Sequence, residues 1–423
     1  MNEKKPLWPV GSLVVLTGLN LLDYLDRQLL AAVLTPIKNE LRLSDEQLGT
    51  IQSAFMWGYF LTSPIFGWLG DRVPRRWLVG AGVFVWSLGT LMSGHVSALG
   101  ALIFFRVLVG FGEASFGTIS PAWIADLFSA KRRNTAISIF YLAIPVGSAL
   151  GYIIGSAVAA RFGWRAAFLW AGYPGLLLAF VLLGLREPQR GAMDGADTAA
   201  GEAAEAQPQS GGWRAYLELW KFRRYRLVVA GYVAQTFAMG AFALWAPTFL
   251  YRVHRMTFEA AGRFFGLALV LTGITATLAG GLAATAWQRR SPAGYAWVLG
   301  LSAALAVPVA FAAFLLPDPG QARVALVGAM FLLFVPTGPI NTLILETVPV
   351  AERARAMAAS IFAIHFFGDL WSPRIVGALS DRFGSLQPAV LLLPVALIGS
   401  AGFWLWLAMT TQRSEAEGDP RGV

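Results

Sequence analysis

Ionisable side chains fall inside apolar stretches of this chain, where charge is costly. Asp23, Asp26 and Arg27 lie in one apolar stretch, and Arg106 and Glu113 lie in another. A charge within a bilayer costs about 2.5–3.5 kcal/mol on insertion scales and needs a partner or water. A carboxylate beside an arginine binds or releases a proton when its surroundings change. The chemistry that these residues indicate is therefore reversible protonation.

Helical spacing brings these groups together. Asp23 and Arg27 are four residues apart and Asp26 follows Asp23 by three, so we expect their side chains to face nearly the same way. Arg106 and Glu113, seven apart, share a helix face. Asp26 and Arg106 each lie eight residues, about 12 Å, from the same end of their helices, so we expect them to meet. We predict that Glu113, Asp26 and Asp23 couple protons and that Arg27 alternates between a carboxylate and an anionic substrate.

The alternative is a permanent network of buried ion pairs that only orders the helices. This interpretation stays open for Arg106, because an arginine at this position can simply hold the first helix. His365 and Asp369 are also four residues apart. His365 is either a substrate contact or a core histidine whose hydrogen bonds are satisfied, and the two interpretations are equally open. The predicted substrate contacts are Arg27, Arg106, His365, Asp369, Arg374, Asn341 and Gln235.

The composition is that of a membrane protein. Hydrophobic residues make up 56% of the 423 positions, charged residues 13%, and the mean hydropathy is +0.58. Soluble domains carry about a quarter charged residues, so lipid must be the solvent for much of this chain. The net charge of +9 does not indicate nucleic acid, because the basic residues lie mostly in short loops between apolar stretches.

Enzymatic and metal chemistry is not indicated. The chain has no cysteine, which excludes disulfides and thiolate metal sites, and its three histidines are scattered. There is no phosphate-binding loop and no pairing of a nucleophile with a base. We expect no metal, no cofactor and no enzymatic activity, with energy supplied by an ion gradient.

Twelve stretches have the roughly 20 mostly apolar residues that a membrane-spanning helix needs. In the first half they lie near residues 9–34, 48–70, 77–94, 98–119, 135–159 and 166–185. In the second half they lie near residues 227–249, 262–287, 293–316, 324–345, 357–379 and 389–409. Pro336, Gly338 and Pro339 are expected to bend or break the tenth stretch.

The predicted organisation is two bundles with a polar connection. We expect an N-terminal six-helix bundle over residues 1–186, a cytoplasmic linker over 187–222, a C-terminal six-helix bundle over 223–411 and a cytoplasmic tail over 412–423. The stretch from Glu187 to Trp213 is rich in Gly, Ala, Glu and Gln and is expected to be disordered or loosely helical. If both termini are cytoplasmic, that side carries about 21 of the 33 Lys and Arg residues and the other side about 9, which favours this orientation.

Two motifs resemble those of the major facilitator superfamily. The stretch from Gly67 to Arg76 resembles the loop signature Gly-x-Leu-x-Asp-Arg-x-x-Arg-Arg/Lys, and Arg106 to Glu113 resembles Arg-x-x-x-Gly-x-Gly-Glu. The resemblance implies an all-α membrane protein with twelve transmembrane helices in two six-helix bundles. Gly147, Gly151 and Gly155 predict a packing stripe. The residues expected to gate the cytoplasmic end are Asp71, Arg72, Arg76, Asp126 and Arg133.

Longer strings resemble the Spinster-like branch of that superfamily. They run from Asn20 to Arg27, from Gly110 to Ser115, from Phe140 to Ser148, and through Gly368-Asp369 and Ser372-Pro373. The resemblance implies a proton-linked carrier of lysophospholipids or sphingoid phosphates. Arg374 stands where a neutral or aromatic residue is expected. It either binds an anionic headgroup or extends its charge to the membrane interface.

The sequence thus predicts a proton-coupled secondary transporter in the inner membrane of a bacterium, working by alternating access on an amphiphilic, lipid-like substrate. We expect a monomer whose partners are the substrate, protons and the bilayer, with no nucleic acid. A proton-driven multidrug exporter and a symporter of small organic anions remain alternatives. A receptor that has lost transport is disfavoured, because the intramembrane charges are retained.

Overall fold

The computed structural model describes residues 8–70, 72–190, 193 and 216–416, and within them the chain is helical and contains no strand. The helices of the first half are α1 (Trp8–Ala32), α2 (Leu34–Leu41), α3 (Asp45–Gly70), α4 (Arg75–Ser93), α5 (Leu99–Leu127), α6 (Ala130–Phe162) and α7 (Trp164–Leu183).

The second half begins with a 3-10 turn over Leu219–Lys221. Its α-helices are α8 (Arg223–Arg252), α9 (Phe258–Gln288), α10 (Gly294–Leu315), α11 (Pro319–Phe334), α12 (Pro339–Glu346), α13 (Arg353–Ile364), α14 (Ser372–Phe383), α15 (Leu386–Val390) and α16 (Leu392–Ala416).

Each stretch predicted to cross the membrane is helical in the structure, with ends that differ by several residues. Within the described residues, nine segments are long and apolar enough to cross a membrane. The helices α3, α4, α13 and α14 do not meet that criterion, so the number of crossings stays a prediction. Most of the predicted linker, residues 191–192 and 194–215, lies outside the described residues.

Predicted membrane-spanning stretches of the second half are interrupted near Pro336, over residues 365–371 and briefly at Leu391. The predicted break at Pro336 is confirmed, since α11 ends at Phe334 and a 3-10 turn over Val335–Thr337 precedes α12. Proline lacks an N–H and clashes with the preceding turn, so an α-helix rarely continues through it without distortion. A π-helical turn over His365–Asp369 separates α13 from α14 and was not predicted. Such turns insert one residue into a helix and shift the side chains that follow.

The structure consists of two compact units. Unit 1 comprises Met1–Leu43, Thr50–Gln207 and Thr257–Gly266, and unit 2 comprises Ser44–Gly49, Pro208–Met256 and Leu267–Val423. In unit 1, α1 packs on α6, and α4 packs on α5 and α7. In unit 2, α8 and α10 both pack on α16. The fully buried Trp404 of α16 donates its Nε1–H to the Val228 carbonyl over 3.1 Å.

Glycines permit the closest helix contacts of unit 1. A Cβ added at Gly147 or Gly151 of α6 would lie 2.4 or 2.5 Å from the carbonyl oxygen of Leu21 or Leu25 of α1. The packing stripe predicted for this helix is therefore confirmed. It sets α1 close to α6 and so fixes the helix that carries Asp23, Asp26 and Arg27.

The side of α9 that faces outward is apolar. Leu267, Leu271, Leu278 and Leu282 are each 59–74% exposed, and their spacings of four and seven residues place them along one helix face. A soluble protein rarely exposes so long an apolar stripe. The pattern fits a helix that is solvated by lipid.

We predict that Gly112→Ala destabilises unit 1 and that Gly100→Ala on the same helix does not. A Cβ at Gly112 would lie 2.4 Å from the carbonyl oxygen of Gly82 on α4, whereas nothing lies within 4 Å of a Cβ at Gly100. Overpacking of this kind costs about 1–3 kcal/mol. The melting temperatures of the two variants in detergent, compared with that of the unmodified protein, test this. Equal melting temperatures would contradict the close approach of α4 and α5.

Candidate functional site

Arg27 is shared by two carboxylates. Its Nε donates to Asp23 Oδ1 over 3.0 Å, one turn earlier on α1, and to Glu113 Oε2 of α5 over 2.8 Å. The side chain of Arg27 is 19% exposed, while those of Asp23 and Glu113 are 2% and 0% exposed. Of these three side chains, that of Arg27 is thus the only one with an appreciable exposed fraction.

Aromatic rings surround the Arg27 guanidinium. Its Cζ lies 4.7 Å from the ring centroid of Tyr24, 5.1 Å from that of Phe55 and 5.0 Å from that of Tyr59. The faces of these rings attract a cation and shield it from lipid. Sequence analysis missed all three rings, although Phe55 and Tyr59 lie four residues apart on α3 and so share a face.

A second charged pair lies beside the first. Asp26 Oδ1 is 3.7 Å from Arg106 Nη1, which confirms that these two residues meet. Thr90 of α4 donates its hydroxyl to the other oxygen of Asp26. The Phe55 ring also faces Arg106, at 5.2 Å from its Cζ, so one ring lies against both guanidiniums.

Several atoms of this cluster lack a hydrogen bond. Arg106 is completely buried, yet none of its three side-chain nitrogens has a hydrogen-bond partner within the described part of the chain. The same holds for Asp26 Oδ1 and Glu113 Oε1. Buried polar atoms are nearly always paired, so unpaired ones mark a place where groups are available for other partners. Arg106 is held here by charge and by the Phe55 ring.

The sequence predicted the charged residues of this cluster but did not predict all of their ion-pair partners. Asp23, Asp26 and Arg27 were expected to face the same way, but Asp23 turns to Arg27 and Asp26 turns to Thr90 and Arg106. Glu113 was placed on the face of Arg106, and its carboxylate reaches Arg27 instead.

In unit 2, His365 and Asp369 form a pair within the π-helical turn. His365 Nδ1 lies 3.0 Å from Asp369 Oδ2, and the two side chains are 35% and 21% exposed. The turn packs closely on α8, because a Cβ added at Gly240 would lie 2.4 Å from the Cβ of Asp369. Gln235 is buried and donates to the Leu333 carbonyl over 2.7 Å, while Asn341 is exposed.

Arg374 is engaged by a carboxylate of unit 2. Its Nη2 donates to Glu46 Oε1 over 2.8 Å, and both side chains are nearly half exposed. The neighbouring Asp45 is buried and accepts two bonds of 2.9 Å from Arg252 and one of 2.7 Å from Ser380. The structure therefore places Arg374 beside a charged cluster at the start of α3.

Two of the predicted gate residues, Arg72 and Arg76, lie at the connection between α3 and α4. Asp71 lies outside the described residues, and Arg133 lies in the first turn of α6. Arg72 donates to the Trp68 carbonyl over 2.9 Å, and the Cζ of Arg76 lies 5.7 Å from the centroid of the Trp77 ring.

Asp126 pairs with Arg75, which sequence analysis did not single out. Arg75 and Asp126 are both largely buried. Glu187, at the start of the linker, accepts from the backbone N–H groups of Arg75 and Arg76 over 2.8 and 3.3 Å. Two distant segments, the end of α5 and the start of the linker, therefore converge on the start of α4.

Comparison with known proteins identifies the family. The profile of the Major Facilitator Superfamily matches residues 16–373. The protein spinster homolog 1 of Xenopus tropicalis is 31% identical, with 96% of this chain and 81% of that protein covered. The protein spinster of Drosophila melanogaster is 32% identical over 88% of this chain, which spans 62% of the fly protein.

This chain belongs to the Spinster family of the major facilitator superfamily. The crystal structure of a bacterial homolog of the human lysosomal transporter Spinster matches it with a TM-score of 0.86. The two share 23% identity, over 97% of this chain and 99% of the other, so this likeness concerns the fold. The predicted Spinster-like membership is confirmed, and the family is one of membrane transporters, not enzymes.

For this Spinster-type transporter we predict that Arg106→Met costs about 3–5 kcal/mol of stability, because it leaves a buried Asp26 without its cation. Adding Asp26→Asn should recover part of that loss, since the unpaired charge is then gone. The melting temperatures and denaturant midpoints of the single and double variants in detergent give the coupling energy.

The control is Arg165→Met, which removes the partly exposed pair of Arg165 with Glu40. Such pairs contribute about 0–1 kcal/mol, so a small effect is expected. Strictly additive losses for Arg106→Met and Asp26→Asn would show that the two side chains do not interact.

Proposed function

We propose that this protein is a proton-coupled secondary transporter that works by alternating access. Its substrate is an amphiphilic, lipid-like anion of the lysophospholipid or sphingoid type. Proton coupling is supported by the unequal numbers of buried negative and positive groups. Three carboxylates, Asp23, Asp26 and Glu113, accompany two guanidiniums, Arg27 and Arg106. A cluster with one surplus negative charge becomes neutral when one proton binds, and neutrality is favoured where water is scarce.

Glu113 is the proposed proton carrier, together with Asp26 and Asp23. Glu113 is fully buried, and one of its oxygens faces Arg27 while the other has no hydrogen bond within the described residues. When Glu113 is protonated, Arg27 loses one of its two carboxylates. An anionic substrate can then take the vacated position, so proton binding and substrate binding favour each other.

The environment of Arg27 favours an anionic amphiphile over a cationic drug. Arg27 is the most exposed side chain of its trio, and a cationic ligand would have to reach carboxylates that are almost inaccessible. The rings of Tyr24, Phe55 and Tyr59 supply apolar surface next to the charge. A headgroup joined to an apolar chain matches that combination.

Further substrate contacts are proposed from unit 2. His365 and Asp369 form a polar pair that is partly accessible, and Gln235 and Asn341 add amide groups. Arg374 was predicted to bind a headgroup, and it would have to leave Glu46 to do so. This requirement weakens the alternative of a small organic anion clamped between two arginines.

We propose that the gate is formed by Asp71, Arg72, Arg76, Asp126 and Arg133, with Arg75 added. A charged pair at the ends of α4 and α5 can hold those ends together and release them when its partners change. The contacts of Arg75 with Asp126 and with Glu187 support this role.

We also propose twelve membrane-spanning helices in two six-helix bundles, over residues 1–186 and 223–411. The helices α3 and α4 and the pair α13–α14 would add three crossings to the nine apolar segments within the described residues. The linker over 187–222, the tail over 412–423 and both termini are assigned to the cytoplasm on the Lys and Arg asymmetry. The proposed location is the inner membrane of a bacterium, with the protein as a monomer.

The test uses purified protein in liposomes with an imposed pH gradient and a fluorescent lysophospholipid. We expect the gradient to accelerate lysolipid movement in the unmodified protein. Glu113→Gln and Asp26→Asn should each reduce that acceleration at least about tenfold, because a neutral side chain cannot carry the proton. Glu259→Gln, which neutralises a carboxylate in the first turn of α9, is the matched control and should behave as the unmodified protein.

Binding measured at two pH values completes the test. Lysolipid should bind the unmodified protein more tightly at the lower pH, because protonation of Glu113 frees Arg27. Binding to Glu113→Gln should not depend on pH. Gradient-driven movement that persists in Glu113→Gln would overturn the coupling role, and gradient-driven efflux of a cationic dye without lysolipid movement would favour a drug exporter.

A further inference from the structure

An apolar groove runs along the flank of unit 2, between α8, the α13 helix with the π-helical turn that follows it, and α16. It encloses about 360 Å³. Small side chains such as Ala230 and Ala234 and the rings of Phe237, Phe367 and Phe403 line it. Phe367 and Phe403 are 57% and 37% exposed, so the groove is open along its length. We call it the flank groove.

The groove face of α8 continues into two arginines. Arg223 and Arg226 lie seven and four residues before Ala230, which places them on the helix face that bears Ala230, Ala234 and Phe237. Both arginines are exposed, and neither has a carboxylate partner within the part of the chain that the structure describes. One helix face thus changes from cationic to apolar along its length.

Aromatic residues mark the charged end of the groove. Arg223 Cζ lies 5.3 Å from the ring centroid of Trp406, which follows Phe403 by one turn on α16. Trp220 also lines the groove and is half exposed. Tryptophan is typical of the level of the lipid headgroups, where its ring meets both apolar and polar surroundings.

Of the described residues that precede α8, two of opposite charge lie near this end of the groove. Lys221 and Glu218 form a pair at 3.8 Å, and both side chains are more than 60% exposed. The cationic groups on the groove face of α8 are therefore those of Arg223 and Arg226. They are matched by a ligand with one anionic group and a long apolar chain.

We propose that the flank groove binds an anionic diacyl phospholipid of the surrounding membrane. One acyl chain lies along the groove, and the phosphate contacts Arg223 and Arg226. Two guanidiniums one turn apart suit a phosphate, because each can donate two hydrogen bonds to its oxygens. From Arg226 to Phe237 the helix rises about 17 Å, close to the roughly 15 Å of one hydrocarbon leaflet.

This lipid is a resident ligand and not the transported substrate. The flank groove contains none of the buried carboxylates that the proposed proton coupling uses, and its residues all belong to unit 2. Its role is to fill the seam between α8 and α16, which the Trp404 ring already fills where it packs against Gly231. The proposed lipid site can therefore be tested independently of the identity of the transported substrate.

The experiment is a lipid titration of the full-length protein in neutral detergent, followed by native mass spectrometry. Phosphatidylglycerol and phosphatidylcholine with the same acyl chains are the probes. We expect phosphatidylglycerol to bind more tightly, by a factor on the order of ten. The double variant Arg223→Gln, Arg226→Gln should abolish that preference and leave the phosphatidylcholine affinity unchanged. Ala230→Phe should weaken the binding of both lipids, because its ring occupies the groove.

Arg290→Gln is the matched control, since Arg290 is an exposed arginine just beyond the end of α9. It should keep the preference for phosphatidylglycerol. The same loss in Arg290→Gln as in the double variant would overturn the proposal by showing a general effect of surface charge. An unchanged preference in the double variant would overturn it as well. A third result would also overturn the proposal: a lysolipid displaces phosphatidylglycerol, and gradient-driven transport of that lysolipid is lost in Ala230→Phe. The groove would then be part of the transport route.

Discussion

The imbalance between one partly exposed arginine and two buried carboxylates is the constraint around which unit 1 is organised. One nitrogen of Arg27 donates to both Asp23 and Glu113, and both carboxylates are almost inaccessible. The glycines of α6 hold α1 against it, so the helix that carries Arg27 cannot simply move away. The cluster therefore adjusts by changing protonation or partner rather than by changing packing.

The two arginines of this cluster have different parts in it. Arg106 is inaccessible and faces Asp26 across 3.7 Å, so its role is to supply a fixed positive charge. Arg27 is partly accessible and makes hydrogen bonds that a competing anion can replace. The Phe55 ring lies against both guanidiniums and keeps the two cations in one apolar setting. The interpretation of Arg106 as a structural residue, left open by the sequence, fits this arrangement.

The sequence predicted contacts correctly where the spacing along one helix, or the depth of a residue along its helix, decides the geometry. The pairs Asp23–Arg27 and His365–Asp369 follow from a spacing of four, and the meeting of Asp26 with Arg106 follows from equal depth. The prediction failed where side chains from three helices compete, as for Glu113, whose orientation depends on how α5 is rotated against α1 and α3. The partner of Asp126 depends on how the loop before α4 folds, and no local pattern specifies that. The π-helical turn likewise depends on packing against α8, which a sequence pattern does not reveal.

The two buried charged clusters differ in a way that distinguishes a structural role from a functional one. Asp45 accepts bonds from Arg252 and Ser380, and its backbone N–H donates to Asp381, so its charge is fully engaged. Both oxygens of the Asp45 carboxylate are thus bonded, although Arg252 Nη2 has no hydrogen-bond partner within the described residues. A carboxylate held in this way can serve to order the helix ends. The Arg27 cluster differs in that carboxylate oxygens themselves are unpaired within the described residues, one on Glu113 and one on Asp26. Leaving buried polar atoms unpaired lowers stability, and a protein retains such a cost where the groups must change partners. That difference, more than the presence of charge itself, is what favours a role for α1 and α5 in proton coupling.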